Sequence, residues 1–80
     1  MQRGKILIQI EDIFHDVLND SEIKITEDTT MEDVEGWDSG IHIPLMAAIE
    51  DHFNVEFSPK EITLSKNIGE MVDIVYEKLL

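Results

Sequence analysis

The sequence predicts an all-α fold in which four helices, the third of them short, enclose one small core. Apolar residues recur at three- and four-residue spacing, as they do on the buried face of an amphipathic helix. No segment alternates apolar and polar residues over the length of a half-buried strand, and capping signals precede two of the helices. We expect a single domain over residues 1–80, since a chain of this length has room for only one core.

The first helix is predicted at about residues 5 to 19, and a long acidic loop over residues 20–38 follows it. The apolar stripe of this helix consists of Ile6, Ile10, Ile13, Phe14, Val17 and Leu18. A loop of this length inside a compact domain is usually functional or disordered. Apolar residues are spaced along it, namely Ile23, Ile25, Met31, Val34 and Trp37. We therefore expect a loop that is pinned to the core.

Two start signals divide the rest of the chain into three helices. The second helix is predicted from about Ile41 to Phe53, and the short third helix over about residues 59 to 64. The segment Ser58-Pro59-Lys60-Glu61 supplies an N-cap serine, a proline at the first helical position and a glutamate that reaches back to the cap. Asn67 precedes another apolar stripe in the same way, which predicts a last helix that runs to the C-terminus.

A serine stands where the acidic loop meets the second helix, in the segment Gly36-Trp37-Asp38-Ser39-Gly40. This position favours an exposed hydroxyl beside a stable helix. The unpaired N–H groups and the positive end of the helix dipole stabilise an anion there by about 0.3 to 1 kcal/mol. The alternative is that Asp38 and Ser39 only cap the helix. The two roles are compatible, because Asp38 can cap the helix while Ser39 is modified.

The layout of the chain resembles that of the acyl carrier protein family over nearly its whole length. That family often has Asp-Ser-Leu and then an apolar helix that ends in acidic residues and a phenylalanine. The matching residues here are Asp38, Ser39, Gly40, Leu45, Ile49, Glu50, Asp51 and Phe53, without a gap. Residues 53–58 resemble the family's link into its short third helix. The resemblance implies a free-standing carrier with an acyl-carrier-like four-helix bundle, and not an enzyme.

The resemblance also implies a prosthetic group and a set of partners. Ser39 would carry 4'-phosphopantetheine, with Asp38 as the flanking residue of the motif. The arm would hold acyl or aminoacyl groups as thioesters and present them to partner enzymes of fatty acid or secondary metabolite biosynthesis. The implied partners are a phosphopantetheinyl transferase, an acyl-loading or adenylating enzyme, and enzymes that accept the group. No residue of the chain itself is expected to be catalytic.

Two residues depart from the family's pattern. Gly40 replaces a large apolar residue whose side chain could pack into the transferase, so modification is expected to be slow or to need a dedicated transferase. Pro44 would disturb a helix that began at Ser39, at a cost of about 3 kcal/mol, and the residue before a proline avoids helical angles. We therefore expect the regular helix to begin at or after Gly40, with Ser39 in flexible backbone ahead of it.

The early turns of the second helix are apolar, whereas the family tends to have acidic residues there. We predict that Ile41 or Ile43 contributes more to partner affinity than any single acidic residue. Truncation of an apolar anchor at an interface can cost about 2 kcal/mol or more of binding free energy. Glu50 and Asp51 are predicted to act mainly on the association rate. The alternative is that the two isoleucines only fill the core.

Charge and composition limit the remaining possibilities. The chain has 18 acidic and 6 basic residues and a net charge of −12, which predicts a basic protein surface as partner and argues against nucleic acid and anionic lipid. The same charge allows a second interpretation, an unmodified acidic adaptor with the carrier fold. No apolar run approaches the roughly 20 residues of a membrane span, and the chain has no cysteine. We expect a monomeric, cytoplasmic protein.

The three histidines and the tryptophan carry weaker signals. His15, His42 and His52 lack the spacing of metal ligands, so we predict no metal site and expect each ring at the surface or half-buried. Trp37 is expected to anchor the loop to the core, with stacking on a partner as the alternative.

Overall fold

The computed structural model describes residues 2–80, apart from the side chain of Leu64. Over these residues the fold is all-α, as predicted. The helices are α1 (Arg3–Leu18), α2 (Ser39–Phe53), α3 (Pro59–Leu64) and α4 (Ile68–Leu79), and a 3₁₀ turn, Met31–Asp33, interrupts the long first loop. The only β-type pairing in this part of the chain is an isolated bridge between Thr30 and Asn67.

One core lies between the helices, and α1 packs against both α2 and α4. The fully buried side chains are Ile6, Ile10 and Phe14 of α1, Leu45, Met46 and Ile49 of α2, and Ile68, Met71, Val72 and Val75 of α4. Burial of one large apolar side chain contributes about 1.5 to 3 kcal/mol. The helices are therefore held together by their apolar stripes. Among the residues described, no helix is long and apolar enough to cross a membrane.

α1 and α2 both end at an asparagine in the left-handed conformation. Asn19 has φ 52° and its N–H donates to the carbonyl of His15, while Asn54 has φ 56° and its N–H donates to the carbonyl of Glu50. Asparagine tolerates this conformation better than most residues with a side chain. These two stops fix the lengths of the long helices.

The long first loop is held to the helices, which confirms the prediction. Its buried residues are Ile25, Val34 and Trp37, and Ile23 and Met31 pack against the core while partly buried. The loop also binds the start of α4, because Ile68 N–H donates to the Thr29 carbonyl at 2.9 Å and Gly69 N–H donates to the Glu27 carbonyl at 2.8 Å. A Cβ at Gly69 would lie 3.0 Å from the Glu27 carbonyl oxygen, so a side chain there would have to push the loop away by a few tenths of an ångström.

Arg3 joins α1 to the loop and to α4. Its guanidinium donates to the carboxylates of Glu27 and Asp73. The hydrogen bond to Glu27 and, to a smaller extent, the one to Asp73 raise the pKa of Arg3 above its ordinary value. Because all three side chains are well exposed, the contribution of these pairs to stability is modest.

Candidate functional site at the start of α2

Asp38 caps α2. Its backbone is extended, its Oδ1 accepts the N–H of Ile41 at 3.0 Å, and its carbonyl accepts the N–H of His42 at 2.9 Å. Loss of a cap of this kind costs about 1 kcal/mol. Ser39 is consequently the first helical residue, one position after the cap.

The expectation that the regular helix begins at or after Gly40, with Ser39 in flexible backbone ahead of it, is wrong. Residues 39–43 are continuously α-helical, and Pro44 is an interior residue of α2. The penalty of about 3 kcal/mol for such a proline is outweighed by burial of the next turns, where each large side chain contributes about 1.5 to 3 kcal/mol. Gly40 and Pro44 are both exposed, so water can reach the carbonyl that Pro44 leaves without its donor.

Ser39 presents a free hydroxyl. The residue is exposed, and its side chain makes no hydrogen bond to any residue that the structure describes. The N–H groups of Ser39 and Gly40 belong to the first turn, which has no intrahelical acceptor for them, and they have no other acceptor in residues 2–80. The helix dipole adds partial positive charge at the same place. A phosphodiester linked to this hydroxyl fits the site, because the oxygen is reachable and the free amides favour an anion.

Gly40 leaves the cap undisturbed. A Cβ at this position would lie 3.3 Å from Asp38 Oδ1, the oxygen that accepts the Ile41 N–H. A side chain at position 40 therefore requires a small shift of the capping carboxylate. With glycine, the surface beside Ser39 remains bare.

Trp37 and His42 form a buried pair next to this junction. Trp37 is 3% exposed and meets Phe14 edge-on with ring centroids 5.0 Å apart, which confirms that it anchors the loop to the core. Its Nε1–H donates to Nδ1 of His42 at 3.2 Å. The other ring nitrogen of His42, Nε2, lies 2.9 Å from the Ile62 carbonyl oxygen in α3. Loop, α2 and α3 thus meet at His42.

The prediction that His42 lies at the surface or half-buried is wrong, since the residue is 7% exposed. Burial is possible because both ring nitrogens have partners, which removes most of the cost of burying a polar group. These partners lie 5 residues before and 20 residues after His42 in the chain. Such separations leave no periodic signal in the sequence. His15 is half-buried and His52 is exposed, as expected.

Among the described residues no cluster of histidines and acidic side chains could hold a metal ion. His15 Nε2 instead lies 2.7 Å from the Ile23 carbonyl, and His52 Nε2 lies 2.6 Å from Gln9 Oε1. Both rings therefore serve as contacts between α1 and its neighbours.

The four residues predicted to bind partners lie at opposite ends of α2. Ile43 is 57% exposed and Ile41 is half-buried, both within the first two turns. Glu50 and Asp51 lie about 17 Å from the first residue of the helix, given a rise of 1.5 Å per residue. One oxygen of Glu50 accepts the N–H of Phe57 at 2.7 Å, so it also fixes the link to α3. Asp51 is exposed.

Comparisons with known proteins agree with this geometry. The family described as "Phosphopantetheine attachment site" matches residues 9–75, a range that contains the start of α2. No curated protein matches the chain in sequence. Among solved structures, the chain is similar to the holo acyl carrier protein from Geobacter metallireducens, determined by solution NMR. The two are 34% identical, the match covers 92% of this chain and 85% of that chain, and the TM-score is 0.85.

Proposed function

The chain belongs to the phosphopantetheine attachment family as an acyl carrier protein, and from this premise we propose that Ser39 bears the prosthetic group. A carrier of this family holds 4'-phosphopantetheine covalently and is not itself an enzyme. The observation that supports Ser39 is its exposed, unbonded hydroxyl at the first residue of α2, after a cap supplied by another side chain.

The other three serines of the chain suit the role less well. Ser58 caps α3, because its Oγ accepts the N–H of Glu61 at 3.1 Å. Ser65 is buried, and its hydroxyl donates to the Glu61 carbonyl at 2.7 Å. Ser21 is exposed but lies in the turn after α1 and not at a helix start. Ser39 alone combines a hydroxyl without a hydrogen-bond partner in the described residues with a position at a helix N-terminus.

Attachment at Ser39 requires a separate transferase and coenzyme A. The Ser39 oxygen forms a bond to phosphorus, the pyrophosphate bond of coenzyme A breaks, adenosine 3',5'-bisphosphate leaves, and the hydroxyl proton passes to a base of the transferase. This chain contributes the positioned hydroxyl, the free amides of the first turn and the dipole of α2. The attached arm supplies a thiol that holds an acyl group as a thioester.

The proposed cargo is an acyl or aminoacyl group of a fatty acid or secondary metabolite pathway. The proposed partners are a phosphopantetheinyl transferase, an acyl-loading or adenylating enzyme and acyl-accepting enzymes. The net charge of −12 favours basic surfaces on all of them. Ile41 and Ile43 are proposed as the apolar contacts near Ser39, with Glu50 and Asp51 as charges that raise the association rate.

Gly40 and Pro44 support a second candidate, an unmodified acidic adaptor that binds a basic protein surface through α2. Both residues depart from the acyl carrier pattern directly after the serine. The two candidates differ in one covalent bond, because only the carrier needs the Ser39 hydroxyl.

Intact-mass spectrometry separates the candidates. Incubation with coenzyme A and a broad-specificity transferase should add one phosphopantetheine to the wild type and to Ser21→Ala, the matched exposed serine. Ser39→Ala should gain nothing. Labelling that persists in Ser39→Ala would overturn the proposed site, and a wild type that stays unlabelled with every transferase tried would favour the adaptor.

We further propose that the carrier acts as a monomeric, cytoplasmic, single domain over residues 1–80. The absence of cysteine supports a reducing compartment. A strong negative charge opposes self-association through its acidic surface.

A further inference from the structure

The contacts of His42 join three segments, and two of them, the first loop and α2, meet at Ser39. Trp37 comes from the first loop, His42 from α2 and the Ile62 carbonyl from α3. We propose that these three groups form a proton-sensitive clamp, the Trp37–His42–Ile62 clamp, which holds the loop and α3 against the start of α2 and opens when His42 becomes protonated.

The hydrogen bonds of the clamp allow one form of the imidazole ring. An indole N–H can only donate, so Nδ1 of His42 must be the acceptor of the 3.2 Å bond from Trp37. A neutral ring then carries its proton on Nε2, which donates to the Ile62 carbonyl at 2.9 Å. The closed clamp therefore contains neutral His42 with the proton on Nε2.

Protonation removes the acceptor. An imidazolium carries a proton on each nitrogen, so the Nδ1–H of His42 would face the Nε1–H of Trp37 across 3.2 Å. The two rings are inclined at 25° with centroids 6.0 Å apart, and the N–H edge of Trp37 points at His42. That edge is the positive part of the indole, so the ring face is not placed to stabilise the cation. One of the two rings must move.

The charged groups on the segments around the clamp have other contacts or face solvent. No ion pair in residues 2–80 includes this residue. On the loop, Glu35 is exposed and Asp38 is engaged with a backbone amide. On α3, Glu61 is paired with a lysine and a backbone amide. On α1, the neighbour of the Trp37 ring is apolar, and His15 next to it bonds a carbonyl.

Opening of the clamp reaches the attachment serine through the backbone. Trp37 lies two residues before Ser39, and Asp38 between them supplies the cap of α2. Release of Trp37 from His42 therefore loosens the segment that fixes the cap, and release of Ile62 loosens α3. The effect on Ser39 rests on the proposed function, whereas the clamp itself does not.

The first test uses the unaltered protein. Nitrogen NMR of the histidine rings at pH 8 should show His42 protonated on Nε2 and bare at Nδ1. As the pH is lowered from 8, the indole N–H resonance and the fluorescence of Trp37, the single tryptophan of the chain, should change when the His42 ring gains its second proton. Three results would overturn the clamp: a proton on Nδ1 at pH 8, Trp37 signals that stay constant when His42 gains its second proton, or a His42 ring that stays neutral until the protein unfolds.

The second test uses matched variants. His42→Gln can still donate to the Ile62 carbonyl but does not titrate, so the pH-dependent change in Trp37 fluorescence should be lost. His52→Gln, a substitution at the exposed histidine of the same helix, should keep the change in full. The opposite pattern would show that His52 and not His42 drives the signal. If His42→Gln does not fold, the ring tautomer of the wild type decides the question.

The consequence for Ser39 has its own readout. The readout is a ratio of two rates of phosphopantetheine transfer, that to the wild type over that to His42→Gln at the same pH. Taking the ratio removes the pH dependence of the transferase itself. This ratio should change at least about twofold between pH 8 and the pH at which His42 is protonated, because the opened clamp no longer fixes the segment that caps α2. A constant ratio would overturn the proposed effect of the clamp on the modification of Ser39. The absence of labelling in all variants would refute the proposed function and leave the fluorescence result standing.

Discussion

Two helices of this protein have a serine at or just before their first residue and also contain a proline, and they use these residues in opposite ways. In α3, Ser58 is the cap, Pro59 follows it at the first helical position, and Glu61 closes a capping box. In α2, Asp38 is the cap, Ser39 comes one residue later, and the proline lies inside the helix at position 44.

The comparison distinguishes a serine that stabilises its helix from a serine whose hydroxyl is free to react. The Ser58 hydroxyl is engaged with a backbone amide and its proline preorganises the first turn, so the α3 start serves helix formation. At the α2 start, an aspartate does the capping and leaves the serine hydroxyl exposed. A one-residue shift between cap and serine thus converts a structural hydroxyl into an available one.

The largest expected effect comes from moving the serine onto the cap. Asp38→Ser alone keeps a capping side chain and an exposed Ser39, so it should still be labelled with phosphopantetheine, and at Ser39 when mapped by peptide mass spectrometry. The double variant Asp38→Ser, Ser39→Ala should lose labelling completely, because its serine hydroxyl is engaged as Ser58 is. Labelling of the double variant would show that a capping serine can be modified, and the comparison would fail.

Replacement of the two prolines by alanine should change the free energy of unfolding in opposite directions. Pro44→Ala restores the N–H that bonds the Gly40 carbonyl and removes the ring clash, so the free energy of unfolding should rise by about 2 kcal/mol after the greater freedom of the unfolded chain is deducted. Pro59→Ala should lower it by up to about 1 kcal/mol. Denaturant unfolding measures both. A destabilised Pro44→Ala would mean that the exposed proline ring contributes more than its backbone costs.

The exposed faces of the two helix starts should differ in partner binding. α2 exposes Ile43 one turn after its serine, whereas α3 exposes Lys60 and Thr63. Ile43→Ala should lower kcat/KM for phosphopantetheine transfer by roughly tenfold, because a partly exposed isoleucine offers about 1.4 kcal/mol of further burial. Ile8→Ala, at an isoleucine of α1 that is 63% exposed, should leave the rate unchanged.

Acidic variants complete this test. Asp51→Asn should act mainly on the association rate and its salt dependence, with a smaller effect than Ile43→Ala. If Ile43→Ala is without effect while acidic substitutions abolish transfer, the apolar face of α2 is ordinary surface.

The smallest effect concerns acid stability at the α3 start. The Ser58 backbone N–H, and then Lys78, lower the pKa of Glu61 below its ordinary value of 4.5. A lowered pKa in the folded state means that the stabilisation is present above pH 4.5 and is lost as the pH falls below it. Glu61→Gln should therefore flatten the fall in melting temperature below pH 4.5, whereas Glu56→Gln, at an exposed residue, should not. Identical acid profiles for wild type and Glu61→Gln would contradict this.

Local signals predicted most of the fold. The four helices follow from apolar stripes, and the start of α3 follows from Ser58, Pro59 and Glu61, which lie within four residues of one another. The end of α1 at Asn19 and the pinned loop follow in the same way from a residue type and from spaced apolar side chains. These features need only neighbours in the chain.

Features that depend on distant contacts could not be predicted. Arg3 binds carboxylates 24 and 70 residues away, and His42 is buried by partners from two other segments. Neither arrangement has a spacing that the sequence displays. The free hydroxyl of Ser39 lies between these cases, because the motif indicates it but only the geometry shows that Asp38 takes over the capping.

The sequence by itself determined that this chain is an acidic, all-α carrier and which serine is the candidate for attachment, because amphipathic spacing and the Asp38-Ser39 junction are local patterns. The tertiary structure decided where α2 begins and what lies beside it. Local rules placed the helix start after Ser39 because they counted only the backbone penalty of Pro44. Burial of Leu45, Met46 and Ile49 in the shared core outweighs that penalty and makes Ser39 the first residue of the helix.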